Sequence, residues 1–131
     1  MRILVDTNIL FSALLFPSSR PAKALLYIAD HHKVVLCDCN ITELRDILRR
    51  KAPKYVPDAE AFLAELSYEL IPAADHVDKL MRDAKDQPIL NAAIASDVDA
   101  ILTGDKDFLS LDIERPKCMT VAQFFEREGI A

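Results

Sequence analysis

The sequence predicts an α/β protein in three layers, with helices on both faces of a central parallel sheet of about five strands. Three observations carry that prediction. Short apolar runs without alternation, as in strands buried on both faces, recur along the chain. Longer segments whose apolar residues repeat at helical spacing separate them, and strands alternating with helices imply right-handed crossovers and a parallel sheet. The stretch 86–108, DQPILNAAIASDVDAILTGDKDF, joins a helix, an apolar strand and an acidic loop in one run.

In chain order, residues 2–6 form an apolar strand ending on Asp6, and Thr7 and Asn8 start a helix carrying Ile9, Leu10, Ala13 and Leu14. Residues 16–21 have the Pro and Ser content of a loop, and 22–29 make a second helix stopping near His31 and His32. Strand two is 34–37. Asp38 to Asn40 then lead into a helix through Arg50, with Ile41, Leu44, Ile47 and Leu48 on its apolar side. Pro53 and Pro57 bracket a break, 58–68 is an amphipathic helix, and 69–71 is a third strand ended by Pro72. A brief helix is expected over 75–81. Pro88 is tolerable only in a helix's first turn, which places the start of the next helix at Asp86. Residues 100–103 are the fourth strand, 117–119 an edge strand and 121–128 the closing helix.

Composition narrows the function. The chain has 131 residues, 51% of them hydrophobic, enough for one core and one domain over 1–131. No long apolar span follows the amino-terminal arginine, so neither a signal peptide nor a membrane helix is expected; a cytoplasmic location and no membrane partner follow. Cys37, Cys39 and Cys118 are odd in number without C-x-x-C spacing, and read as small core residues rather than a disulfide framework or zinc site. The net charge is −5, but setting aside five acids singled out below leaves sixteen, equal to the sixteen Lys and Arg. Excess charge gathered at one metal site does not exclude a phosphate-bearing substrate.

Those five acids sit where α/β sheets place ligands, beyond the carboxyl ends of strands. Asp6 ends the first strand and Asp105 and Asp107 follow the fourth after Gly104; if these strands are neighbours, all three share a crevice that Glu43 and Asp86 reach from the first turns of two helices. Clustered carboxylates raise one another's pKa, and a hard divalent cation, Mg²⁺ or Mn²⁺, relieves this. Each acid also has a local reading: Asn40 and Glu43 as a capping box, Asp86 and Asp38 as N-caps, Asp105 and Asp107 as turn residues. Asp6 is the hardest to explain locally, since a carboxylate ending an apolar strand is costly unpaired.

Four motifs in order, Val5-Asp6-Thr7-Asn8, Thr42-Glu43-Leu44, Asp86-Gln-Pro-Ile-Leu90 with Ala92 and Ala93, and Thr103-Gly-Asp-Lys-Asp-Phe108, resemble the PIN-domain ribonucleases, which include VapC-type toxins of toxin–antitoxin systems. The resemblance covers nearly the whole chain and implies strand order 3-2-1-4-5. It implies Asp6, Glu43, Asp86 and Asp105 as catalytic metal-binding acids, Asp107 as a supporting fifth position, and Asn8 and Thr103 as groups that orient them. The implied activity is metal-dependent hydrolysis of single-stranded RNA, with an antitoxin protein and a homodimer as partners; the family extends beyond its toxins. Arg20 and Lys23, and Arg45, Arg49, Arg50, Lys51 and Lys54, are candidate RNA contacts, the latter group equally well a solvated helix face. Two other functions stay open: a phosphatase forming an aspartyl phosphate on Asp6, which would want Asp where Asn8 stands, and a non-catalytic binding module. Phe62, Leu63, Leu66, Phe124 and Phe125 offer apolar surface for a dimer or complete the core.

Overall fold

The first apolar run forms β1, Arg2–Val5, in the computed structural model, which describes residues 1–73 and 86–130. Then come α1 (Thr7–Leu15), α2 (Arg20–His31), β2 (Lys33–Cys37), α3 (Asp38–Lys51), a 3₁₀ turn (Pro53–Tyr55), α4 (Val56–Glu65) and β3 (Tyr68–Ile71). The chain continues with α5 (Gln87–Ala95), β4 (Ala100–Leu102), α6 (Lys106–Leu109), β5 (Lys117–Met119) and α7 (Val121–Glu128). All strand pairs are parallel, in the order β3-β2-β1-β4-β5. β1 and β4 are therefore neighbours, and the Asp6 amide continues their ladder by donating to the Leu102 carbonyl at 2.9 Å. No helix among the described residues is long and apolar enough to cross a membrane.

Side chains alternate across the strands, and the two faces build two cores. Ile3, Val5, Val34 and Leu36 face α1 to α4 and α7; Leu4, Val35 and Ile101 face α5 and α6, where Ile89, Leu90 and Phe108 fill the space. Of the residues weighed for a dimer contact, Leu63, Phe124 and Phe125 are buried in the first core, so they are not interface surface; Phe62 and Leu66 are partly covered.

Several boundaries differ from those read in sequence. α2 starts earlier because Ser19 caps it, its hydroxyl accepting from the Ala22 amide at 3.3 Å with Pro21 in the first turn. α4 likewise begins at Val56, with Pro57 in its first turn, and stops before Ser67 so that Tyr68 can pair in the sheet. The expected loop after Gly104 contains the single turn α6. The expected helix over 75–81 lies outside the described residues. His32, at the end of α2, packs edge-on to Phe124, ring centroids 6.0 Å apart, and pairs with Glu128. Cys37 and Cys39 are joined as a disulfide, correcting the reading of all three cysteines as unpaired core residues; Cys37 is wholly buried and Cys39 partly so. Their Cα atoms lie 5.1 Å apart where β2 passes into α3.

The amino end of the sheet is tied by charge. Arg2 forks onto Glu69 of β3 at 3.0 and 2.6 Å, its guanidinium also donates to the Ser96 carbonyl at 2.7 Å, and its amide donates to Asp99 at 2.7 Å. Hydrogen bonding from Arg2 holds both carboxyls below their ordinary values, through its side chain for Glu69 and its backbone for Asp99. Acids with lowered folded-state pKa values stabilise the fold above their unfolded values and lose that contribution as pH falls through the lowered ones. Arg2 and Glu69 are 33% and 38% exposed, so their pair contributes only roughly 0.2–1 kcal/mol. Arg2→Met should therefore lower the pH 7 melting temperature by a few degrees and reduce the drop between pH 7 and pH 3, as calorimetric scans at both values would show.

Candidate metal centre

At the opposite end of the sheet, β1 and β4 end side by side on Asp6 and Thr103, both buried. Asp6 is the N-cap residue of α1, yet its side chain makes no capping hydrogen bond. Its Oδ2 accepts instead from the Thr103 hydroxyl at 2.8 Å. Burial raises the Asp6 pKa; the Thr103 hydrogen bond and the amides of Thr7 and Asn8 pull it down, while the charge of Asp105 pushes it up. The Thr103 hydroxyl in turn accepts from the Asp105 amide at 3.0 Å, so one side chain ties the end of β1 to the acidic loop.

That loop closes on itself. Asp105 caps α6, its Oδ1 accepting from the Asp107 amide at 2.8 Å, which places both carboxylates on one side of the turn. Asp86, at the N-cap position of α5, supplies the third acid without using its side chain as a cap. Carboxylate oxygens of Asp86, Asp105 and Asp107, all partly buried, lie within 4.8 Å of one another. Three hard oxygen donors at that spacing fit a magnesium- or manganese-sized ion better than zinc, which favours nitrogen and sulfur.

Asp107, expected in support, lies in the close group with Asp86 and Asp105, and Asp6 adjoins it through Thr103. Glu43 lies on α3 and is not one of the three; it lines a neighbouring groove of about 610 Å³ with Thr42, Asp46, Arg50 and Lys51. The capping-box reading of Asn40 and Glu43 fails, because the N-cap is Cys37 and Asn40 is the reciprocating residue, its Oδ1 accepting from the Cys37 amide at 3.0 Å. Glu43 thus stands beyond the first turn. Asp38 is inside the helix and accepts from the Ala73 amide at 3.1 Å. Asn8 is exposed in the first turn of α1.

Asn40, which the sequence offered only as a helix cap, also ties the site together. Fully buried, it also donates from Nδ2 to the Thr7 hydroxyl at 2.9 Å, tying α3 to the residue after Asp6. The only signal for it was an amide side chain at the entry of an apolar helix. Among the basic candidates, Arg45 pairs with Glu60 at 2.7 Å and Arg49 with Asp46 at 3.2 Å. Arg20 and Lys23 lie over the Phe125 ring, 5.1 and 5.8 Å from its centroid, and Arg50 opens onto the Glu43 groove.

The Thr103 bridge carries a testable consequence. Thr103→Val keeps the shape but leaves buried Asp6 without its donor, and groups that orient site carboxylates typically matter ten- to a hundredfold. Divalent-ion affinity measured calorimetrically should fall by about that factor; unchanged affinity would show the bridge to be incidental.

A model of the PIN domain matches residues 2–107. No curated protein sequence matches the chain. In the crystal structure of VapBC2 from Rickettsia felis bound to a DNA fragment from their promoter, a chain of 14% identity superposes with a TM-score of 0.69, covering 92% of this chain and 98% of that one. At that identity the likeness is one of fold.

Proposed function

The chain belongs to the PIN-domain family, and from that premise we propose that it is a divalent-metal-dependent endoribonuclease acting on single-stranded RNA. The observation that carries the reading is the convergence of Asp86, Asp105 and Asp107 beside buried Asp6 at the carboxyl end of β1 and β4. When bound, magnesium or manganese supplies charge neutralisation on a phosphodiester and acidifies the attacking water. Asp86, Asp105 and Asp107 would hold that ion. Asp6, fixed by Thr103, would add negative charge to the site, and Glu43 with Arg50 would border the groove along which the RNA strand runs. Hydrolysis in line leaves a 5′-phosphate and a 3′-hydroxyl.

The aspartyl-phosphate reading is weaker, because Asp6 is only 4% exposed and one of its oxygens is engaged by Thr103. A nucleophile needs an open approach to phosphorus.

Partner proposals follow from the same family. An apolar groove of about 400 Å³, lined by Ala13, Leu25, Leu26 and Phe62 with Asp58 and Glu65, suits an apolar antitoxin segment. Leu26 is 58% exposed there. A homodimer of this chain is the other association we propose, and light scattering across a concentration series tests it.

The deciding experiment combines cleavage of a labelled single-stranded RNA with calorimetry. Cleavage should appear with Mg²⁺ or Mn²⁺, vanish in excess chelator and return when the ion is restored. Neither cleavage nor a specific heat of metal binding would leave the binding-module reading in its place.

A further inference from the structure

We propose that Cys37 and Cys39 form a thiol–disulfide exchange site, entered at the Cys39 sulfur by a low-molecular-weight thiol or its disulfide. This inference is independent of the nuclease reading. The two sulfurs are joined across a single intervening residue at the passage from β2 to α3. A disulfide stabilises chiefly by closing a long loop in the unfolded chain, and one this short contributes little in that way. Its consequence is therefore chemical and local.

The two cysteines are unequal. Cys37 is wholly buried, while Cys39 is partly exposed and lines the groove that holds Glu43 and Arg50. An incoming thiolate reaches only Cys39. Attack there forms a mixed disulfide on Cys39 and expels the Cys37 thiolate; a second thiol then takes the small molecule off as its own disulfide, leaving two protein thiols for two electrons. In the reverse sense, an oxidised small-molecule disulfide attaches to Cys39 and is displaced by Cys37. The position of Cys37 suits a leaving group, since it is the N-cap of α3 and its sulfur accepts from the Cys39 amide at 3.4 Å. The Asp38 carboxylate, 3.4 Å from that sulfur, works against the anion, so exposure rather than leaving-group quality sets the direction of attack. Cys118, partly exposed like Cys39, is not disulfide-bonded, and burial pushes its thiol up to about 11, which slows its reaction.

The chain also transmits the change. Cys37 and Asn40 cap one another, and Asn40 holds Thr7 beside Asp6, so opening the disulfide loosens the turn that steadies the end of β1.

The full chain, reduced and then treated with oxidised glutathione, tests the site by intact mass and peptide mapping. Wild type should close the Cys37–Cys39 bond and keep Cys118 as a thiol. Cys37→Ser, a substitution that retains a good N-cap, should accumulate glutathione on Cys39; Cys39→Ser should leave Cys37 unmodified. Alkylation of reduced wild type needs no variant and should label Cys39 at least about tenfold faster than Cys37. Three surviving thiols in oxidised wild type, equal labelling of Cys37 and Cys39, or modification at Cys118 instead would each overturn the proposal.

Discussion

Asp6→Asn should reduce RNA cleavage by more than about a hundredfold while leaving the fold intact. The scale follows from the ten- to hundredfold effects of groups that merely orient metal ligands; a carboxylate placed against the group itself should matter at least as much. The fold survives because Asn is isosteric and its carbonyl oxygen still accepts from the Thr103 hydroxyl. Removing the charge also removes its burial cost and its repulsion of Asp105, the two effects that raise the Asp6 pKa. By linkage, a raised carboxyl pKa means that the neutral form favours folding and that this contribution is lost as pH rises through the folded value. At pH 7 in chelator the variant should therefore melt no lower than wild type. A variant that unfolds well below wild type, losing activity in step, would make Asp6 a structural residue.

Phe108→Ala should lower stability by about 3–5 kcal/mol, a large part of the roughly 5–15 kcal/mol available to a domain. Phe108 is wholly buried in the second core with Ile89 and Leu90, one residue after Asp107. Its ring shares one buried cluster with α5, so truncation opens a cavity among the elements that present Asp105, Asp107 and Asp86. The melting temperature should fall by roughly 10–20 °C, and divalent-ion affinity should weaken even where the variant is folded. A shift of only a couple of degrees with normal affinity would show that α5 and α6 hold their positions without it.

The strands were legible because fully buried parallel strands leave uninterrupted apolar runs, as Ile3, Leu4 and Val5 or Ala100, Ile101 and Leu102 do. The closing helix expected over 121–128 is α7, and its ends explain its bounds: Thr120 and Gln123 cap one another at 3.0 and 2.9 Å, and Gly129 terminates it at φ 69°. Cap identity at α3 was not legible, since Asn40 looks like an N-cap and only the point where β2 ends makes Cys37 that residue. The Cys37–Cys39 bond was hidden for the same reason. In the site, sequence marked the acids but could not rank them, because proximity depends on the turn at α6. That turn draws Asp107 to Asp86 and Asp105; α3 carries Glu43 toward a groove of its own.

The sheet's two faces give the acids different anchorage. Asp86, Asp105 and Asp107 ride on the layer of α5 and α6, while Thr103 couples them to Asp6 and, through Asn40 and Thr7, to the layer of α1 to α4 and α7. A cation held by the three acids would then act as a tether on the α5 and α6 layer, and a ligand bound only by the native form stabilises whatever must open to release it. Amide hydrogen exchange in α5 and α6 should slow on adding magnesium, whereas the buried strands β1 and β2 should respond no more than the whole molecule does.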